Sequence, residues 1–351
     1  MTSITVGISA LNAADNPGPG VGLARSLREC SDLDVTIVGL AYDAMEPGIY
    51  LDWLIDRTFI LPYPTKGSEE FLARLSYIRE SSGLDWIIPN LDAELPLYIK
   101  YQEQLAAMGI RTFLPTMAQF KLRGKDRLAE MAGELSIDVP ETIVVGSEAD
   151  LAAAVDEIGA PVMIKGAFYE AYCATSMLDA AGYYRKIVAQ WGYPVIVQAL
   201  VRGDELNLIG VGDGLGGSLG MVCIKKTSVT SLGKVWSAVT VKNQRMLDAA
   251  EKFLKQSKWR GPFELECIVN RDAVNLIEIN PRFPAWLYFA TGVGVNLPAR
   301  MLQHALGQEH ETHSDYPSGK LFMRYTNELV TDMSLFKSIM TQGESPEKEL
   351  A

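Results

Sequence analysis

Two alternating runs joined by a short polar turn constrain this chain more than any other stretch. Phe263-Glu264-Leu265-Glu266-Cys267-Ile268-Val269 and Val274-Asn275-Leu276-Ile277-Glu278-Ile279-Asn280-Pro281-Arg282 both alternate as half-buried strands do. The intervening Asn270-Arg271-Asp272 has the composition of a hairpin turn. A side-chain period of two puts Glu264 and Glu266 on one face of the first strand, and Glu278, Asn280 and Arg282 on one face of the second. Carboxylates and an amide oxygen gathered on one face, with apolar residues behind them, are costly unless a cation neutralises them. Hard oxygen donors of this kind suit Mg²⁺ (or Mn²⁺), which is usually shared with substrate phosphates. A single Glu pair would read more readily as a solvated hairpin face. The Glu-x-Asn-x-Arg ladder beside a Glu-bearing partner strand favours the cation.

Composition sets the frame around that hairpin. The 351 residues are 48% hydrophobic, enough for ordinary cores in two or three domains. A net charge of −11 argues against non-specific binding to nucleic acid or anionic membranes, so neither is expected as a partner. Cys30, Cys173, Cys223 and Cys267 form no CxxC pair, which points to reduced cysteines and a cytoplasmic protein. The opening Met-Thr-Ser-Ile-Thr-Val-Gly-Ile-Ser reads as a strand rather than a signal peptide, and no run is long and apolar enough to span a bilayer.

Residues 1–115 alternate strands and helices, the rhythm of a doubly wound parallel sheet in an α/β chain. Expected strands are Ile4–Ser9, Val35–Leu40, Phe59–Pro62, Trp86–Pro89 and Arg111–Leu114. Helices are expected over Leu23–Glu29, Ser68–Glu80 and Leu97–Met108. The loop Gly18-Pro19-Gly20-Val21-Gly22 sits where a dinucleotide fingerprint would sit, but its spacing is not Gly-x-Gly-x-x-Gly and no acid closes the second strand. A tight turn opening a substrate pocket is the better reading. Asp92 and Glu94 follow a strand's carboxyl end, where open α/β sheets bind ligands; a substrate-facing pair and a solvated loop are both open.

Residues 116–200 read as a smaller domain. Lys125-Asp126-Arg127 opens a helix to Leu135, Ser147 caps a helix over Glu148–Ile158, and Val162-Met163-Ile164-Lys165 is a strand ending in Lys. From 201 to 335 the expectation is an antiparallel sheet built from Leu206–Gly212, Ser218–Lys226 and the later hairpin. An amphipathic helix over Asn243–Gln256 and another over Gly292–Leu306 accompany it. Residues 336–351 are expected to be a tail, polar and frayed after about Gln342.

Glu266, Glu278, Asn280 and Arg282 resemble the metal-and-phosphate motif of the ATP-grasp superfamily, and Glu-Ile-Asn-Pro-Arg is similar to its carbamoyl-phosphate-synthase and biotin-carboxylase branch. Ile-Ile-Pro-Asn-Leu-Asp-Ala-Glu-Leu-Pro resembles the N-terminal domain of amino-acid ligases of that superfamily, the pyrrolysine-biosynthesis ligase among them. The resemblance runs over about residues 1–330. It implies a Rossmann-like first domain over 1–115, an α+β lid over 116–200 and an α+β core with an antiparallel sheet over 201–335. It implies ATP and Mg²⁺ (or Mn²⁺), with Glu266, Glu278 and Asn280 as metal donors, Lys125 and Lys165 on the phosphates, and Gln198, Ala199, Leu200 and Val201 at the adenine edge. By the same resemblance Glu205 takes the ribose hydroxyls, Arg282 and Lys165 act in catalysis, and Asp92, Glu94 and Arg282 meet the substrate. The implied reaction joins a carboxylate to an amine through an acyl phosphate, releasing ADP. The expected partners are those small molecules, with a homodimer as the candidate assembly. One stretch departs from the family: where a Gly- and Ser-rich lid loop is usual, the chain has Gly166-Ala167-Phe168-Tyr169-Glu170-Ala171-Tyr172-Cys173-Ala174-Thr175. A bulky loop has fewer free backbone amides to wrap a phosphate. That keeps open a degenerate nucleotide-binding protein without ligase activity. A dehydrogenase built on the first Gly-rich loop is the other alternative, but it leaves the acidic hairpin without a role.

Overall fold

The structure, a computed structural model, describes residues 3–135, 137–167, 170–312 and 314–346. Phe168 and Tyr169 of the bulky loop, and His313, lie outside the described residues.

The first sheet contains β1 (Ser3–Ile8), β2 (Asp34–Ala41), β3 (Arg57–Ile60) and β4 (Trp86–Ile88), all parallel in the order β3-β2-β1-β4. Helices α1 (Pro19–Arg28), α2 (Ser68–Ser82) and α3 (Leu95–Ala107) provide the crossovers. Near-continuous burial of β1, β2 and β4 follows from covering both faces of a parallel sheet. The expected strand Arg111–Leu114 reduces to one bridge, Arg111 with Trp86, before Pro115 turns the chain away. The Gly-rich loop serves packing. Gly18 N–H donates to Asn12 O, and a Cβ on Gly18 would lie 2.4 Å from Ala10 O. A Cβ on Gly20 would lie 2.3 Å from Ser9 O. Both glycines therefore let the start of α1 close on the segment just after β1.

Two short helices, α4 (Met117–Lys121) and α5 (Leu128–Leu135), lead to a second sheet. The α5 start lies beyond Lys125, which sits in the turn before it. This sheet consists of β5 (Thr142–Val145), β6 (Val162–Gly166), β7 (Ala171–Ala174) and β8 (Val195–Ala199), antiparallel in the order β5-β8-β6-β7. Helices α6 (Glu148–Ile158) and α7 (Met177–Trp191) cover one face and close a small core of their own around Leu151, Val162, Ile164 and Val197.

The third sheet is antiparallel throughout: β9 (Asp204–Asp213), β10 (Ser218–Val229), β11 (Val235–Thr240), β12 (Arg260–Val269), β13 (Val274–Asn280) and β14 (Leu321–Met323), in the order β13-β12-β9-β10-β11-β14. Its two faces differ. Leu206, Leu208, Phe263, Leu265 and Cys267 turn to one side and pack on α8 (Gln244–Ser257), an amphipathic helix seated by Met246, Phe253 and Leu254. Ile209, Val211, Val222 and Ile224 turn to the other side, toward α1 and the helices α9 (Tyr288–Gly292) and α10 (Leu297–Ala305). On that second side the strand ends carry Glu205, Asn207, Glu264 and Glu266 instead. The helix expected over Gly292–Leu306 is two helices, broken where Gly294 takes φ 96° and Asn296 caps the second.

The expected frayed tail is corrected for residues 343–345, while residues 347–351 lie outside the described residues. Residues 333–342 form α11 (Met333–Gln342), and the following residues dock on β3. Ile60 N–H donates to Gly343 O at 2.7 Å, Ser345 N–H donates to Thr58 O at 2.9 Å, and Thr58 N–H donates to Ser345 Oγ at 2.9 Å. A polar segment has nothing hydrophobic to reveal this in sequence; it is held because β3 is an edge strand with open main-chain groups.

Candidate functional site

The β12–β13 register aligns Glu264 with Asn280 and Glu266 with Glu278, and the β9–β12 register sets Glu266 beside Asn207. A bulge after Glu266 lets the turn residues re-pair without disturbing that row. The result is one polar patch assembled from four strands: Glu205 and Asn207 on β9, Lys226 on β10, Glu264 and Glu266 on β12, Glu278 and Asn280 on β13.

Lysines balance these carboxylates. Lys226 Nζ lies 2.8 Å from Glu266 Oε2 and 2.6 Å from Glu205 Oε1. Lys125 Nζ lies 3.2 Å from Glu278 Oε1. Burial alone would raise the Glu266 carboxyl and lower the Lys226 ammonium, but their mutual attraction wins and holds both charged. Burial raises Glu278, with Lys125 opposing. Glu264, 4% exposed, is raised by burial and then by the charge of Glu266. Deleting one partner of the largely buried Lys226–Glu266 pair would cost about 3–5 kcal/mol, whereas the Glu278 side chain opposite Lys125 is a third exposed. Exchanging one anionic partner for another leaves both charges paired and avoids that cost.

Lys165 ends β6 as the sequence predicts, but it is 8% exposed and donates to Gln198 Oε1 at 2.6 Å. Gln198 in turn donates to Thr142 Oγ1 at 2.9 Å, so β5, β6 and β8 are tied by one polar chain. Burial, then the nearby Lys125, lowers the Lys165 ammonium to about 8. Ala199 ends β8, Leu200 and Val201 link it to β9, and Glu205 begins the patch. After β6 the chain turns back within a few residues: Gly166 N–H donates to Glu170 O, and Glu170 takes φ 66°.

The substrate-facing expectations divide. Asp92 receives Arg282 Nε on Oδ2 and an Arg123 guanidinium N–H on Oδ1, each at 2.9 Å, joining the loop after β4, the turn after α4 and the end of β13. Burial opposes its ionisation, but Arg282 and Arg123 hold it below the usual carboxylate range. Glu94 is a correction. It is fully buried, with Oε1 accepting from Ser9 Oγ, Asn90 N–H (2.8 Å) and Leu91 N–H (2.9 Å), and Oε2 accepting from Tyr42 OH at 2.6 Å. Its carboxylate fastens the loops at the ends of β1, β2 and β4 and leaves no oxygen for a substrate.

Glu264, Asn207, Lys226, Arg123 and Trp286 belong to the same neighbourhood yet were not among the expected site residues. The alternation Glu205-Leu206-Asn207 carried the signal for Asn207, and the shared face with Glu266 carried it for Glu264. Lys225 and Lys226 stand out in sequence as a strand-end pair of which one can reach phosphate, but the carboxylate partners of Lys226, like the role of Arg123, are identified only by contacts across elements distant in sequence.

A divalent cation fits the donor chemistry here: two carboxylates, an amide oxygen, and a buried Asn207 Oδ1 without a hydrogen-bond partner. Among the described residues no three His, Cys, Asp or Glu side chains form a ready cage. No helix among them is long and apolar enough to cross a membrane.

Comparison with known proteins agrees with this geometry. Residues 197–328 match the family described as ATP-grasp in the biosynthetic pathway with Ter operon. The arginine-specific carbamoyl phosphate synthase large chain of Geobacillus stearothermophilus is 24% identical over 171 residues, which is 46% of this chain and 16% of that one. The chain thus spans under a fifth of that relative's length. Among solved structures, a Campylobacter jejuni biotin carboxylase in complex with β,γ-ATP superposes with a TM-score of 0.67 at 16% identity, covering 88% of this chain and 71% of the other. An L-amino acid ligase from Bacillus licheniformis gives 0.64 at 13% identity, over 86% and 74%. The parallel sheet, the small covering sheet and the antiparallel sheet with its acidic hairpin therefore form an ATP-grasp fold, and the chain carries an ATP-grasp domain with homologues among the carbamoyl phosphate synthases.

Proposed function

We propose that this chain is an ATP- and Mg²⁺-dependent ligase that joins a carboxylate to an amine through an acyl phosphate and releases ADP and phosphate. One observation carries the reading: the row Glu266, Glu278 and Asn280 is neutralised by Lys125 and Lys226, lysines that can change partner when a metal and a triphosphate arrive. Mg²⁺, when bound, supplies neutralisation of the charge on the phosphoryl group in transfer. Glu266, Glu278 and the Asn280 amide oxygen would hold it. Lys125 exchanges Glu278 for phosphate, and Lys165, above the patch on the covering sheet, meets the same phosphates. Gln198 and the backbone of Ala199 to Val201 border the adenine, with Glu205 on the ribose. Arg282 orients the carboxylate and steadies the oxyanion, its guanidinium already aligned by Asp92. The residues 1–115, 116–200 and 201–335 are read as pre-ATP-grasp domain, lid and core.

The test is ADP release over pooled carboxylates and amines, with hydroxylamine added to trap the activated carboxylate as a hydroxamate. Carboxylate-dependent ADP and a hydroxamate are expected. AMP and pyrophosphate would sink the acyl-phosphate chemistry. Nucleotide binding without ligation is the second reading, favoured by the short turn from Gly166 to Glu170, in which Gly166 is the sole glycine. Tight ATP binding with no turnover on any pool would select it.

A further inference from the structure

Among the described residues, the groups hydrogen-bonded to the Glu264 carboxylate are all donors. Oε1 accepts from Asn207 Nδ2 at 2.8 Å and from Trp286 Nε1 at 2.7 Å, and Oε2 accepts from Asn280 Nδ2 at 3.0 Å. Glu264 is 4% exposed, Asn207 0% and Trp286 2%, so solvent cannot replace any of these partners. The Asn280 amide nitrogen also lies 3.2 Å from Glu266 Oε1. An amide set between two carboxylates must turn its NH₂ to them, because its oxygen there would face like partial charge. Asn280 Oδ1 is thereby turned away, with only a 3.5 Å contact from the Arg282 guanidinium.

We infer that Glu264 is a positioning residue: it holds Asn280 by the amide nitrogen so that Asn280 Oδ1 is the atom offered to the divalent cation. The inference rests on the metal site proposed above. When Glu266 gives its oxygens to the cation, Glu264 is the acceptor that still restrains the amide. Trp286 keeps Glu264 itself in register, since an indole N–H can only donate.

In Glu264→Gln the side chain cannot accept on both sides. Its oxygen is better used toward Trp286 and Asn207, two donors, than toward Asn280, one donor. Its NH₂ then faces Asn280, which flips and presents nitrogen to the cation. Adding Asn280→Asp to that background removes the conflict: one new carboxylate oxygen accepts from the glutamine NH₂ and the other faces the cation. With Glu264 retained, Asn280→Asp would instead set a third carboxylate against two.

Mn²⁺ binding to the full-length protein, with and without the non-hydrolysable analogue AMPPNP, tests this by electron paramagnetic resonance titration. Glu264→Gln should weaken Mn²⁺ in the AMPPNP complex by about 10–100-fold, the usual cost of losing an outer-shell partner. Asn280→Asp alone should also weaken it. The double variant should recover at least about tenfold over Glu264→Gln, within that same range. Trp286→Phe, which keeps a ring in the core, should lose Mn²⁺ affinity in the same direction but less, and it decides the matter if Glu264→Gln does not fold. Wild-type affinity in Glu264→Gln, no change in Trp286→Phe, or no recovery in the double variant would overturn the positioning role while leaving the metal site standing. A wild-type protein that binds no Mn²⁺ with AMPPNP would overturn the metal site, and this inference with it.

Discussion

Two sets of carboxylates sit at strand ends in this molecule, and their partners separate them. At the carboxyl ends of β1, β2 and β4, Glu94 is surrounded by hydroxyl and backbone N–H donors, all fixed by the fold. On the core sheet, Glu266 and Glu278 face Lys226 and Lys125, whose ammonium groups ride on long flexible stems. A carboxylate satisfied by rigid donors stabilises the loops that carry them and has no capacity left. A carboxylate satisfied by a flexible cation can release it to another anion and accept a metal in its place. Exposure follows the same division: Glu94 is fully buried, whereas the Glu266 and Glu278 side chains keep 17% and 32% of their surface exposed.

Substituting each set sharpens that contrast. The largest effect is expected from Glu278→Gln: ADP formation should fall by a factor of about 10³ or more, the scale of losing charge stabilisation at a reacting group. The melting temperature should hold, because Lys125 can turn to solvent. Activity near wild type, measured as carboxylate-dependent ADP release, would break the assignment. Glu94→Ala should do the reverse. Four buried donors lose their acceptor, so chemical denaturation should show a loss of about 3 kcal/mol or more. Unchanged stability would mean that the first domain does not depend on that hub.

A smaller effect is expected at Lys165. Its ammonium is depressed to about 8, so raising the pH from about 7 to about 9 deprotonates the nucleotide-free protein. Binding a triphosphate then requires proton uptake, and ATP affinity should fall by up to about tenfold per unit above that point. AMP affinity should change less, and Lys165→Ala should bind ATP weakly with little pH dependence. Calorimetric titrations of both nucleotides at the two pH values check this. Equal losses for AMP and ATP would make Lys165 structural.

The acidic patch was legible because strand parity is a local rule. Glu264 with Glu266, and Glu278 with Asn280, needed only alternation and a turn to be placed on one face. The parallel first sheet was legible from its apolar runs for the same reason. Parity has no bearing on Glu94, which follows a strand in a turn where nothing local sets the side chain's direction. The pairing of these carboxylates with their counter-cations was hidden, since Lys226 meets Glu266 across separate strands and Lys125 reaches Glu278 from the turn before α5. The Gly-rich loop was legible as a tight turn, but glycine marks close approach without saying what approaches. Here it is the chain's own backbone.

The docking of Gly343 to Ser345 on β3 sets an order of events during synthesis. Thr58 and its partner Ser345 are 287 residues apart. At roughly 5–20 residues per second, about 15–60 s separate their emergence from the ribosome. Throughout that interval the parallel sheet can form, yet the main-chain groups of β3 stay open to any neighbouring strand. The nascent first domain therefore passes through a window in which its exposed edge can join another chain. The arrival of Gly343 to Ser345, rather than any event inside the first sheet, closes it.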